Sequence, residues 1–416
     1  MPARRLQNHL PKFRRNSKLF PIGMMVFFFV IFDGILMYLA PIIITGAGIS
    51  DSVMGLIIGS SSIAGMIFDL LLTRALKVTH YRRMFLLMFV LAALFPLFLF
   101  GGKTVTIYLI AMAAWGFYYD FYNIGSIDFV ERTADPEEHV TNFGILRTFE
   151  GSGYLLAPFA GSLLLLWFRP GPRMLIALAI PLLVAFLFYL IAVVHPLRER
   201  REYPGVVRKS PLSFFTEMDR WKKVGGILFP ILLLTLAMNL IDAAIWTFGP
   251  IFSELIGKAN GIPGGIFMTA YALPPLLVGW IVGIVARRFG NAHTAQGAIA
   301  LGSIILMLVG LFASPIFLSV LIFGTSFFFS IAWPSIDAVY TEYIEQVSSR
   351  RKEIETLQDL FTNLGDTGGP IVGGYMAQYL GFTHSFIALG ALGVVTALVL
   401  FWMTPRTIAT VRTRPL

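Results

Sequence analysis

Long apolar runs separated by short charged stretches occupy almost the whole of this 416-residue chain. Runs of about 20 apolar residues match a bilayer core roughly 30 Å thick. Twelve such segments can be drawn, at about 19–45, 52–73, 83–101, 104–130, 141–168, 173–195, 224–253, 262–286, 293–313, 315–344, 356–380 and 383–404. The pattern predicts an all-α integral membrane protein of twelve helices. Composition agrees, since 56% hydrophobic and 13% charged residues leave too little polar surface for a soluble domain of this length.

The segments repeat. Asp33 stands in the first segment and Asp242 in the seventh, 209 residues apart (242 − 33), and each is followed eight residues later by a proline, Pro41 and Pro250. The tripeptide Ser126-Ile127-Asp128 recurs at the same offset as Ser335-Ile336-Asp337. Six crossings return a chain to its starting side, so two such halves share one orientation and are related by a pseudo-twofold axis along the membrane normal. The implied organisation is an N-terminal six-helix bundle with a basic tail over residues 1–195, a basic cytoplasmic linker over 196–223, and a C-terminal six-helix bundle over 224–416.

Basic residues orient the chain. With the N-terminus inside, the cytoplasmic segments hold 27 of the 32 Lys and Arg residues, against four in the outer loops (Lys103, Arg169, Arg173 and Lys258). That asymmetry puts both termini in the cytoplasm, with an inner or plasma membrane as the expected location. The polar, basic first 18 residues precede a run too long for a cleaved signal, which reads as a retained start-transfer helix. Basic loops facing anionic headgroups account for the net charge of +9, so no nucleic-acid partner is expected. With no cysteine, disulfides and thiolate metal sites are excluded. No Gly-x-x-x-x-Gly-Lys-Ser/Thr phosphate loop is present either, so neither a metal, a cofactor nor an enzymatic activity is expected.

Further motifs carry a resemblance. Gly65-Met-Ile-Phe-Asp69 stands at the end of the second segment, with Leu70 and a later Arg74, and Gly283-Ile-Val-Ala-Arg287-Arg288-Phe289-Gly290 stands at the end of the eighth. The fifth segment contains Gly153-Tyr-Leu-Leu-Ala157-Pro158-Phe-Ala-Gly161, and the eleventh contains Gly365-Asp366-Thr-Gly368-Gly369-Pro370-Ile-Val-Gly373-Gly374. In this order, on a six-plus-six chain with a basic central linker, they resemble the major facilitator superfamily over nearly the whole length. The family signature Gly-x-x-x-Asp-Arg-x-Gly-Arg-Arg is incomplete here, since Leu70 replaces its Arg in the first half and Arg287 its Asp in the second. The resemblance implies a secondary transporter working by alternating access, with segments 1, 4, 7 and 10 lining a central cavity.

Ionisable residues in apolar helices are functional-site candidates because their burial is costly. At about 1.5 Å per residue from Leu19, Asp33 lies roughly 20 Å into the membrane, and Asp242 matches its depth. Thr235, Met238, Asn239, Asp242 and Trp246 recur at helical spacing and form one polar face. Taken out of water, a carboxylate gives up its proton less readily, so Asp33, Asp242 and Asp366 are the proton-coupling candidates; the alternative is a structural carboxylate bonded to a nearby hydroxyl or amide. The substrate-cavity candidates are Met37, Trp115, Tyr119, Asp120, Asn123, Arg147, Glu150, Asn239 and Trp246. Trp115 and Tyr119 offer ring faces to a cation. Arg147 either pairs with Glu150 three residues on or bridges to Asp120 or Glu131. Asp69, Arg74, Asp128, Glu131, Arg288 and Asp337 form a cytoplasmic gate set, with Arg350 and Arg351 as further partners.

Inside the membrane Asp33, Asp120, Glu150, Asp242 and Asp366 stand against Arg147 alone. Such a cavity repels anions and favours protons with a cationic or lipophilic solute. The leading expectation is proton-coupled antiport with efflux. Its alternatives are proton symport of a sugar or other neutral metabolite, a lipid or lysolipid flippase, and a non-transporting receptor. Expected partners are the small-molecule substrate, protons and membrane lipids, with the chain acting as a monomer.

Overall fold

A computed structural model describes residues 19–75, 80–194, 214–347 and 350–403. All regular structure among them is helical: α1 (Leu19–Gly46), α2 (Asp51–Ala75), α3 (Tyr81–Gly101), α4 (Val105–Thr133), α5 (His139–Trp167), α6 (Pro172–Val194), α7 (Phe214–Asn260), α8 (Gly265–Ala272), α9 (Pro274–Leu277), α10 (Gly279–Phe289), α11 (Asn291–Val309), α12 (Pro315–Gln346), α13 (Arg351–Leu380) and α14 (Phe382–Met403). Nine of these described helices are long and apolar enough to cross a membrane, and the α8–α10 stretch adds a tenth, broken span. The polar helices α4 and α13 complete the twelve segments seen in the sequence. Leu166, Ile176, Ile284, Val320 and Leu398 are each more than half exposed, as expected where lipid rather than water is the neighbour. The protein is a multi-pass membrane protein.

The eighth segment departs from the single helix expected. It bends by 64° between Gly265–Leu277 and Gly279–Phe289, one turn after the consecutive Pro274 and Pro275. Two consecutive residues without an N–H leave the preceding carbonyls unbonded, and the helix restarts instead of continuing. Single prolines inside long helices, Pro41 in α1, Pro158 in α5 and Pro370 in α13, are absorbed without a break.

The chain divides into two compact units, Met1–Tyr38 with Ile67–Lys209, and Leu39–Met66 with Ser210–Leu416. In the first unit α3 packs along α4 around an aromatic core, where the Phe29 ring meets Phe32, Phe89, Tyr118 and Tyr122. In the second, α13 packs along α7, and Phe248, Phe252, Phe267 and Phe386 form a cluster. The second unit takes in residues 39–66 because the glycine face of α2 lies on α13. A Cβ at Gly59 would stand 2.7 Å from the Thr367 carbonyl oxygen, and Gly55 abuts the Pro370 carbonyl. The Ser52 N–H donates to Gln378 Oε1 at 3.0 Å.

Each unit contains the same seam of small residues. In the first, a Cβ at Gly153 of α5 would lie 2.8 Å from the Phe27 carbonyl oxygen, Ala157 fills the space over Gly34, and Gly161 faces Tyr38. In the second, Gly365 of α13 faces the Leu236 carbonyl, Gly369 faces Leu240 and Ala243, and Gly373 faces Ala244. Helices in lipid gain no hydrophobic drive to associate, so close backbone approach over small residues supplies the contact energy.

A Cβ at Gly369 would stand 2.6 Å from the Leu240 carbonyl oxygen, whereas one at Gly297 meets nothing within 4 Å. Gly369→Leu is therefore expected to cost about 1–3 kcal/mol or more by forcing α7 from α13. Gly297→Leu should leave stability unchanged. Thermal unfolding of the two variants in detergent compares them.

Candidate functional site

The α1–α5 seam brings the two helices close enough for one tyrosine to cross. Tyr154, next to Gly153, donates its hydroxyl to Asp33 Oδ2 at 2.9 Å. From α4, Trp115 Nε1 and the Tyr118 hydroxyl donate to Asp33 Oδ1 at 3.0 and 2.6 Å. Trp115 and Tyr118 stand one helical turn apart, so both reach the same oxygen. Asp33 is only 1% exposed, and donors from two other helices satisfy both its oxygens. Phe95 stacks on Trp115 and Phe29 lies edge-on to Tyr118, fixing the donors in place. Trp115 thus presents its indole N–H to Asp33 in addition to the ring face expected of it.

Beside this cluster Arg147 Nη1 donates to Glu150 Oε2 at 2.8 Å, with the arginine side chain largely exposed and the glutamate buried. The described ion pair of Arg147 is therefore the local one with Glu150 rather than a bridge to Asp120 or Glu131. Tyr119 lies within electrostatic reach of Asp33, Glu150 and Arg147. Met37, Asp120 and Asn123 are half-buried on α1 and α4.

In the second unit Asp242 of α7 accepts a hydrogen bond from the Tyr271 hydroxyl of α8. The Trp246 ring lies edge-on to Tyr271 with centroids 5.9 Å apart. Asp366 of α13, next to Gly365 of the seam, is within electrostatic reach of Asp242. No basic side chain stands near either carboxylate on its own helix. Between Leu228 and Ile256 α7 has no Lys or Arg, and between Thr356 and Leu380 neither does α13. Asn239 donates to the Thr235 carbonyl at 2.8 Å, one turn back on its own helix, and Thr235 bonds Tyr340 at 2.9 Å. Asn239 is 5% exposed, so its amide serves the helix rather than an open wall.

The gate candidates separate. Asp128 is fully buried and accepts both the Tyr81 backbone N–H at 2.6 Å and the Arg132 guanidinium at 2.8 Å. Tyr81 is the first residue of α3, so this carboxylate caps a helix N-terminus whose N–H groups have no partner within the helix. Asp128 thus holds α3 to α4, with described bonds to neither Arg350 nor Arg351. Asp337 accepts from Gln358 Nε2 at 3.0 Å, and Arg351 pairs with Glu355 instead. Glu131 is half-buried on α4, and the Arg288 guanidinium lies over the neighbouring Phe289 ring. The side chains of Asp69 and Arg74 lie outside the described residues.

Three residues that complete the two acid sites carried little signal in the sequence. Tyr118 is one aromatic among six in a short stretch of α4, and Tyr154 is embedded in a packing motif. Tyr271 lies in a segment with no charge at all. What marks Tyr154 is its register: it follows the first seam glycine of α5 as Asp366 follows that of α13.

The sequence model of the Major Facilitator Superfamily matches residues 22–348 and, in a second match, 234–416. A multi-drug resistance efflux pump PmrA homolog of Lactococcus lactis subsp. lactis (strain IL1403) is 24% identical over 257 residues, which are 61% of this chain and 60% of the relative's length. Solved structures share the fold. A variant of the nucleoside transporter NupG has a TM-score of 0.74 at 15% identity over 94% of this chain and 100% of its own. A bacterial homolog of the human lysosomal transporter Spinster has a TM-score of 0.68 at 14% identity, covering 93% and 96%. The human organic anion transporter MFSD10 has 0.61 at 14% identity, covering 92% and 98%.

Removing the Asp128 carboxylate strands a helix terminus and a buried guanidinium contact. Asp128→Ala is expected to destabilise the protein by about 1–3 kcal/mol, read as a lower unfolding midpoint in detergent. Asp337→Ala, which removes an exposed side chain bonded to Gln358, should shift it far less.

Proposed function

The chain belongs to the Major Facilitator Superfamily, and we propose that it is a proton-coupled antiporter that exports a cationic or lipophilic small molecule by alternating access. The observation that carries this reading is that Asp242 of α7 and Asp366 of α13 lie within electrostatic reach of each other, with no basic residue in either stretch. Two carboxylates within electrostatic reach repel when both are charged, so a state with one of them protonated is favoured. A cation drawn to the pair competes with that proton. Competition of this kind couples the two fluxes, because binding one favours release of the other. Trp246 and Tyr271 beside the pair add ring faces suited to a cationic or flat apolar solute. Similarity to an efflux pump homolog supports the outward direction.

On this reading the protein works as a monomer in the cell membrane, with both termini in the cytoplasm, and its partners are the solute, protons and surrounding lipid. The basic loops would lie against anionic headgroups.

Reconstituted vesicles loaded at acid pH test the reading. Adding tetraphenylphosphonium outside should drive proton exit together with uptake of the cation, and Asp242→Asn should abolish that exchange. Proton and solute moving in the same direction would establish symport and overturn antiport. Movement of a labelled phospholipid between leaflets, with no solute-dependent proton flux, would establish a flippase instead.

A further inference from the structure

The repeat has copied an acid and the seam beside it without copying the acid's surroundings. At the offset relating Asp33 to Asp242 (242 − 33 = 209), the α4 donors Trp115 and Tyr118 correspond to Gly324 and Phe327 of α12, neither of which carries a side-chain donor. At the seam, the donor Tyr154 is matched by the acceptor Asp366. One acid therefore has three donors from α4 and α5. Its counterpart has one described donor, Tyr271 of α8, and lies within electrostatic reach of a second carboxylate.

We infer that the two copies have divided one ancestral role: Asp33 is a positioning residue that ties α1 to α4 and α5, and the coupling proton passes only through Asp242 and Asp366. The division deepens the transport reading above and rests on it. Hydrogen-bond geometry gives the physical reason. An indole N–H can only donate, so a proton placed on Asp33 Oδ1 would point at Trp115 with nothing to receive it. Tyrosine hydroxyls can turn to accept, but Tyr118 shares that same oxygen and Tyr154 holds the other. Changing the charge state of Asp33 would break the links among three helices. Other ionisable groups near Asp33 are Tyr119 of α4 and Glu150 of α5, the latter already paired with Arg147. In the second unit the Tyr271 hydroxyl is the described donor to Asp242, and its oxygen can turn to accept, so gaining or losing a proton there breaks no link among three helices.

The test compares variants of the full chain, each measured for unfolding midpoint in detergent and for the pH profile of tetraphenylphosphonium transport in vesicles. Tyr118→Phe and Tyr154→Phe each remove one donor and keep the acid. Both are expected to lower the unfolding midpoint by several degrees and leave the pH profile of the folded protein in place. Asp366→Tyr installs the residue of the matching first-unit position. It should fold, with an unfolding midpoint near that of the wild type, while losing most gradient-driven transport. A shift of the pH profile by about one unit or more in Tyr118→Phe or Tyr154→Phe would overturn the division. So would gradient-driven transport retained in Asp366→Tyr. A wild-type chain that moves the cation without protons would instead overturn the transport reading, and the division with it.

Discussion

Close approach of glycine-lined helix faces is the contact on which both acid sites depend. In lipid the apolar surface of one helix gains nothing by leaving the tails for another helix, so association rests on short-range packing and polar contacts. Gly153, Ala157 and Gly161 on α5, and Gly365, Gly369 and Gly373 on α13, let backbones approach to distances that a larger side chain would prevent. The residue after the first glycine of each seam is carried across to the neighbouring helix. In one unit that residue is Tyr154, in the other Asp366, and the chemistry of each site follows from that exchange.

Burial then decides what each acid requires. A carboxylate out of water needs donors, a counter-charge or a proton. Asp33 has its donors, Asp128 has a guanidinium and a helix N-terminus, and Glu150 has Arg147. Asp242 has one described donor, the Tyr271 hydroxyl, and Asp366 lies within its electrostatic reach. Each of the first three meets its need with fixed protein groups. On the proposed reading, the last pair is the one whose need a mobile proton or an arriving cation meets.

Much of this was legible along the chain. Twelve segments, the 209-residue echo and the basic linker identify the family, which the sequence model confirms over residues 22–416. Asp33, Asp242 and Asp366 stood out because a charge in an apolar run is conspicuous. Arg147 and Glu150 were legible as a pair because three residues on a helix is a contact distance. Their neighbours were not. Tyr118 and Tyr271 look like any aromatic in a membrane helix, and the cap formed by Asp128 on Tyr81 joins residues 47 positions apart. The break in the eighth segment was marked by Pro274 and Pro275, yet hydropathy alone carried straight through it.

The amino-acid sequence determined the elements, their number and the duplicated acids, because segment length, hydropathy and residue spacing are local properties that a bilayer reads directly. The tertiary structure decided which acid is enclosed by three donors and which has a single one. That depends on which helices approach over the glycine seams and on which residue rides beside each seam, and neither is encoded in the pattern of any single segment.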